Sequence, residues 1–126
     1  MDPRRGVRLI AVGRAALGAA VLLAPEQVIS RWLGAENARH GAVKDLGRGL
    51  AARDIGLAVA TLQTLEDPVL GPRVQAVCAA ADAVDALATL LERRSLPRTG
   101  VVGTVAIAGG AAVAGLYLAH RIAHES

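Results

Sequence analysis

Apolar residues gather in four long stretches, and the polar residues inside them recur at helical spacing. Thr99 to Ala119 runs twenty-one residues without a charge, enough to cross a bilayer as a helix at about 1.5 Å per residue. Arg73 to Leu91, RVQAVCAAADAVDALATLL, is otherwise Ala, Val and Leu, but Gln75, Cys78, Asp82, Asp85 and Thr89 recur in it at steps of three and four. That spacing places them on one helix face, with Asp82 at the centre of the segment. Val7 to Ala24 is apolar apart from Arg8 and Arg14, and Pro25 stops it. A cleaved signal peptide is the rival reading of this start, and Pro25 directly after Ala24 argues against it. Ala42 to Leu65 is charged in its first half and apolar in its second. The pattern predicts helices over about 6–24, 42–65, 73–91 and 99–120.

The links are short. In Pro25–Gly34, PEQVISRWLG, the residues Val28, Ile29, Trp32 and Leu33 share a face, which predicts an amphipathic helix over about 26–33. The only Trp of the chain sits there, as expected of a segment at headgroup level. Glu36–Gly41 reads as a polar link, Glu66–Pro72 as a breaker-rich turn and Glu92–Arg98 as a basic turn. The expected fold is all-α: residues 1–126 form a single domain, a four-helix up-down-up-down transmembrane bundle with a short interfacial helix after the first span. A soluble four-helix bundle is the runner-up. With both termini on one side, Arg4, Arg5, Arg8, Arg73 and Arg121 face Arg31, Arg39, Lys44, Arg93, Arg94 and Arg98 on the other. Five against six leaves the orientation open.

Composition sharpens this picture. Mean hydropathy is +0.42, and the chain has Gly 14, Phe 0 and a single Tyr. Small residues suit helices that pack closely in lipid, whereas a soluble core of this size leans on large aromatic anchors. Glycine- and alanine-rich faces also suit a homo-oligomer. The net charge of +3 favours anionic lipid headgroups. No basic stripe is interleaved with aromatics, so nucleic acid is not an expected partner. Arg far exceeds Lys, and Ala and Gly are abundant, as in a GC-rich bacterial gene. A multi-pass protein of the bacterial cytoplasmic (inner) membrane follows. The lone Cys78 excludes an intrachain disulfide.

The candidate chemistry lies in Arg14, Arg53, Asp54, Asp82 and Asp85. Each such group at a helix centre costs about 2.5–3.5 kcal/mol on an insertion scale, so the five should face the interior and pair. Arg53 shares a face with Gly49, Gly56 and Ala60, which would let the Asp82 helix approach and makes Arg53 the expected partner of Asp82. Two Arg against three Asp leave one negative charge over. Arg48 balances it if deep enough; otherwise one carboxyl should carry a proton. Asp82, Asp85 and Asp54 are the candidate catalytic residues, and Arg14, Arg53 and Arg48 the candidate ligand-binding or charge-pairing ones.

Three functions fit. The first is binding, and acid–base transformation, of a small lipophilic molecule, with the Asp82/Asp85 pair supplying acid and base. The second is a proton-coupled small transporter. The third is a non-catalytic assembly or partner subunit whose buried charges only fix register. A cavity beside the Asp pair would favour the first two, and filled packing the third.

No cofactor or metal is implied. Gly47-Arg-Gly49-Leu-Ala-Ala52 matches the dinucleotide fingerprint only in letters, because no strand precedes it. There is no G-x-S-x-G, H-E-x-x-H or P-loop. His120 and His124, one turn apart, read as a solvated helix end. Three stretches carry a resemblance: the Arg14 helix running into Leu23-Ala-Pro25-Glu, the segment from Gly47 through Arg53-Asp54-Ile-Gly56, and Ala80-Ala-Asp82-Ala-Val-Asp85-Ala. In these the chain resembles small four-helix bacterial membrane proteins catalogued as a domain of unknown function. The resemblance implies a membrane bundle and no activity.

Overall fold

The computed structural model describes residues 1–125. Among them are six helices and no strand: α1 (Pro3–Leu23), α2 (Pro25–Leu33), α3 (Ala35–Ala38), α4 (Gly41–Thr64), α5 (Leu70–Leu91) and α6 (Arg98–Ala123). α1, α5 and α6, of 21, 22 and 26 residues, are long and apolar enough to cross a membrane. α4 is as long, but Lys44, Asp45, Arg48, Arg53 and Asp54 set it apart in composition.

Local chemistry explains the boundaries. The Asp2 carboxylate accepts the Arg4 amide at 2.9 Å and Pro3 opens the first turn, so α1 starts earlier than the hydrophobic pattern predicts. Pro25 ends α1 and begins α2 through Ala24 alone. The segment expected as a polar link contains the short α3, entered through Gly34, whose φ of 92° suits glycine. α5 also begins early. The Asp67 carboxylate accepts the Val69 and Leu70 amides, both at 2.8 Å, and so takes Gly71 and Pro72 into the helix's first turn. Those two bonds hold the Asp67 carboxyl below its ordinary value of 3.8.

The long helices close a ring. α1 packs broadly on α4 and α5 on α6, while lighter contacts join α4 to α5 and α1 to α6. Neighbours run antiparallel: Arg8 meets Glu66, Gly18 lies beside Ala51, Thr61 meets Cys78, and Gly6 lies beside Leu118. Glycine permits the nearest approaches. At Gly18 an added Cβ would sit 2.9 Å from the Ala51 carbonyl oxygen, and at Gly115 3.1 Å from the Ala79 Cβ. Gly49 and Gly56 were expected to let the Asp82 helix approach, but an added Cβ there, as at Gly109 and Gly110, meets nothing within 4 Å.

Three layers stack along the ring axis. At the end holding the termini, Val7, Leu65, Leu118 and Ile122 form an apolar cluster, with Ile10 against it. The middle layer is charged. The far end is closed by α2, whose Ile29 fills the space over Gly47 and whose Trp32 backbone presses on Gly100. The Trp32 indole donates to the Thr89 hydroxyl at 3.2 Å, so the residue is tied into the bundle. The exterior is apolar: Leu9, Val12, Val59, Val84, Ile107 and Val113 are all exposed at mid-helix.

Candidate functional site

The polar stripe of α5 points inward. Gln75, Cys78, Asp82 and Thr89 are buried, and Asp85 is half-buried. α1 and α4 present their mid-helix charges to this stripe, across the seam where the α1–α4 pair meets α5.

The five charges form an alternating ladder. Arg14 Nη2 donates to Asp82 Oδ2 at 2.5 Å, and its Nη1 donates to Asp54 Oδ1 at 3.4 Å. Arg53 donates to the same Asp54 oxygen from Nε and Nη2, at 3.2 and 3.0 Å. It also grips Asp85 with both terminal nitrogens, Nη1 to Oδ1 at 3.2 Å and Nη2 to Oδ2 at 2.6 Å. The order is Asp82, Arg14, Asp54, Arg53, Asp85. The two-pronged Arg53–Asp85 contact uses the planar fork that only guanidinium offers.

The expected Arg53–Asp82 pair does not form. Asp82 belongs to Arg14, and Arg53 spans Asp54 and Asp85. The face of Arg53 carrying Gly49 and Gly56 is open instead of seated on α5. Arg48 is exposed and, among the described residues, joins none of these pairs. Three carboxylates therefore share two guanidinium groups, and the ladder carries one uncompensated negative charge when all are ionised.

Burial is graded along the ladder. The side chains of Arg14 and Asp82 are 8% and 9% exposed, Asp54 is 19%, Asp85 24% and Arg53 33%. The Arg14–Asp82 end is nearly sealed, and the Arg53–Asp85 end is partly exposed. Thr89 joins the latter end to the α2 cap: its hydroxyl donates to the Asp85 carbonyl at 2.9 Å and accepts from Trp32. Sequence spacing put Thr89 on the stripe, but nothing in the pattern of α2 indicated Trp32 as its partner.

The remaining candidates lie apart. Cys78 is buried with its sulfur 3.3 Å from the Thr61 hydroxyl, one turn from Asp82 towards the termini. The His120 and His124 rings meet edge-on at 4.3 Å, and among the described residues no three metal-ligating side chains gather. Two shallow clefts, of about 180 and 390 Å³, are lined by Glu26, Ser30 and Arg39 around α2 and α3 and by Val69, Arg73 and Ala123 around the start of α5 and the end of α6. Neither touches the ladder. Compared with known family models, curated proteins and solved structures, the chain matches none.

Proposed function

We propose that this is an integral membrane protein of four spans whose ladder binds the polar end of a small lipophilic molecule at Arg53 and Asp85. The observation that carries the reading is the charge imbalance. A ladder built only to join helices would be neutral, because a net charge in apolar surroundings is costly. The uncompensated carboxylate calls for a proton or a ligand's positive end. The graded exposure leads such a group to the Arg53–Asp85 end, where the exposed surface at Gly49 and Gly56 is unobstructed and would let an apolar body lie along α4. Asp85 and Asp54 are then positioned to give and take a proton, so acid–base chemistry or proton-coupled transport fits the same site. The apolar exterior supports four spans, with α4 turning Arg53 and Asp54 towards α1 and α5 and leaving Asp45 and Arg48 exposed near its start.

Native mass spectrometry of the protein released from detergent tests the reading. A small lipophilic adduct should accompany the wild type and be lost from Arg53→Gln/Asp85→Asn. No adduct on either protein, with the double variant as stable as the wild type, would sink it. One observation favours a second reading, an assembly subunit with structural charges: all five groups have an opposite-charge partner, and both clefts lie elsewhere. That second reading is what the negative result would leave standing.

A further inference from the structure

Five basic residues against six left the two ends of the bundle indistinguishable. The fold separates them by showing which are already spent on acids: among the described residues Arg5, Arg73 and Arg121 at the end holding the termini have no carboxylate within ion-pair distance, against Arg31, Arg39, Arg93, Arg94 and Arg98 at the other. At the end holding the termini, Arg4 is paired with Glu66 and Glu125, and Arg8 with Glu66. Arg121 donates to the Tyr117 hydroxyl and lies over its ring. At the α2 end only Lys44 is paired, to Glu26 at 3.8 Å. Arg31, Arg93, Arg94 and Arg98 are exposed there. Among the described residues none of the four has a carboxylate within ion-pair distance.

These four also sit on one surface. The Arg31 and Trp32 carbonyls press on Gly100, two residues past Arg98, and Gly34 lies against Pro97. The end of α2, the turn 92–97 and the start of α6 are therefore contiguous. Glu92 is the acid nearest in the turn, and it accepts from Ser95. The surface is two-sided in chemistry, as an interfacial element must be. α2 turns Ile29 and Trp32 into the bundle and leaves Glu26, Gln27 and Arg31 outward.

We propose that this surface, built from Arg31, Arg93, Arg94 and Arg98, binds anionic phospholipid headgroups, and that the α2 end consequently lies in the more anionic leaflet. The proposal rests on the membrane reading. Guanidinium suits phosphate because it offers two parallel donors. Each basic residue near an anionic surface contributes about fivefold in local lipid preference, equivalent to about 1 kcal/mol.

Trp32, the only tryptophan, reports on this surface from within it. The protein is reconstituted in phosphatidylcholine bilayers containing brominated phosphatidylglycerol, or in the reverse labelling, and quenching of Trp32 gives the relative affinity of the two lipids beside it. The wild type should prefer phosphatidylglycerol several-fold, and 0.5 M salt, with a screening length of about 4 Å, should reduce that preference. In Arg31→Gln/Arg93→Gln/Arg94→Gln/Arg98→Gln the ratio should approach one. Arg5→Gln/Arg73→Gln, at the opposite end, should leave it unchanged. Equal quenching by both lipids in the wild type overturns the proposal, as does a preference that survives the fourfold substitution. Circular dichroism of the fourfold variant checks its fold; if it unfolds, the single substitutions Arg93→Gln and Arg94→Gln must each lower the ratio. Failure to float with vesicles of any composition would instead refute the membrane reading itself.

Discussion

Arg14 bridges Asp54 on α4 and Asp82 on α5 from the most enclosed position in the ladder. Removing Arg14 leaves the buried Asp82 without a guanidinium, whereas removing Asp82 leaves Arg14 its contact with Asp54 at 3.4 Å. Arg14→Leu should lose about 3–5 kcal/mol and Asp82→Ala distinctly less, and adding Asp82→Ala to Arg14→Leu should recover part of the larger loss. Thermal denaturation of the detergent-solubilised protein measures the cycle, and strictly additive losses would show that the two do not act as a pair. The inward face of Asp82 and Asp85 was legible in the sequence, because steps of three and four admit only one helix face. Their partners were not. The glycines around Arg53 suggested a close approach that the fold makes at Gly18 and Gly115 instead. How far a helix is rotated towards each neighbour is decided by packing across the whole ring, and no local pattern records it. Asp67 makes a separate prediction. Its carboxylate receives two amide bonds in the folded turn, which lower its ionisation range. Its contribution is therefore full above the ordinary value of 3.8 and is lost as pH falls through the lower folded value. The amide resonances of Val69 and Leu70 should titrate with a midpoint below 3.8; a midpoint at or above it would mean that the bonds do not persist.

At the scale of elements, α2 shows what periodicity leaves open. Its amphipathic pattern predicts a helix resting on a membrane surface. In the fold the same apolar face covers the bundle end, with Ile29 over Gly47 and Trp32 bonded to Thr89. A short apolar face looks alike whether it meets lipid or protein, so periodicity alone does not choose. Gly100 is the tightest point of this contact, because a Cβ would collide with the Trp32 carbonyl, a backbone atom that cannot swing aside. Gly100→Ala should cost about 1–3 kcal/mol through overpacking. Gly103→Ala, one turn on, meets nothing within 4 Å and should be neutral or gain about 0.5–1 kcal/mol. Paired melting curves test both. If Gly100→Ala melts with the wild type, α2 is not seated as described.

For the whole molecule, the distribution of residue sizes is inverted relative to a soluble bundle. Large aliphatics lie outside on all four long helices, while much of the interior is Ala, Gly and a charged ladder. The protein should accordingly sediment with membranes and need detergent for extraction; recovery as a soluble monomer after lysis without detergent would contradict this. Length and hydropathy made three of the long helices readable as spans. α4 was readable as a helix from its periodicity, but it is not among the helices apolar enough to cross, because Lys44, Asp45, Arg48, Arg53 and Asp54 lower its hydropathy.

The ladder also imposes an order on biosynthesis. Asp54 lies 40 residues after Arg14 in the chain, and Asp82 lies 68 residues after it. In a membrane, α1 would therefore arrive carrying a guanidinium whose two ladder partners lie on helices that follow it. Its entry into the bilayer would be provisional until α4 arrives, and secure only when α5 closes the seam. Nascent chains halted between α1 and α4 would hold a helix that the insertion machinery can release, so the ladder makes a late helix the guarantor of an early one.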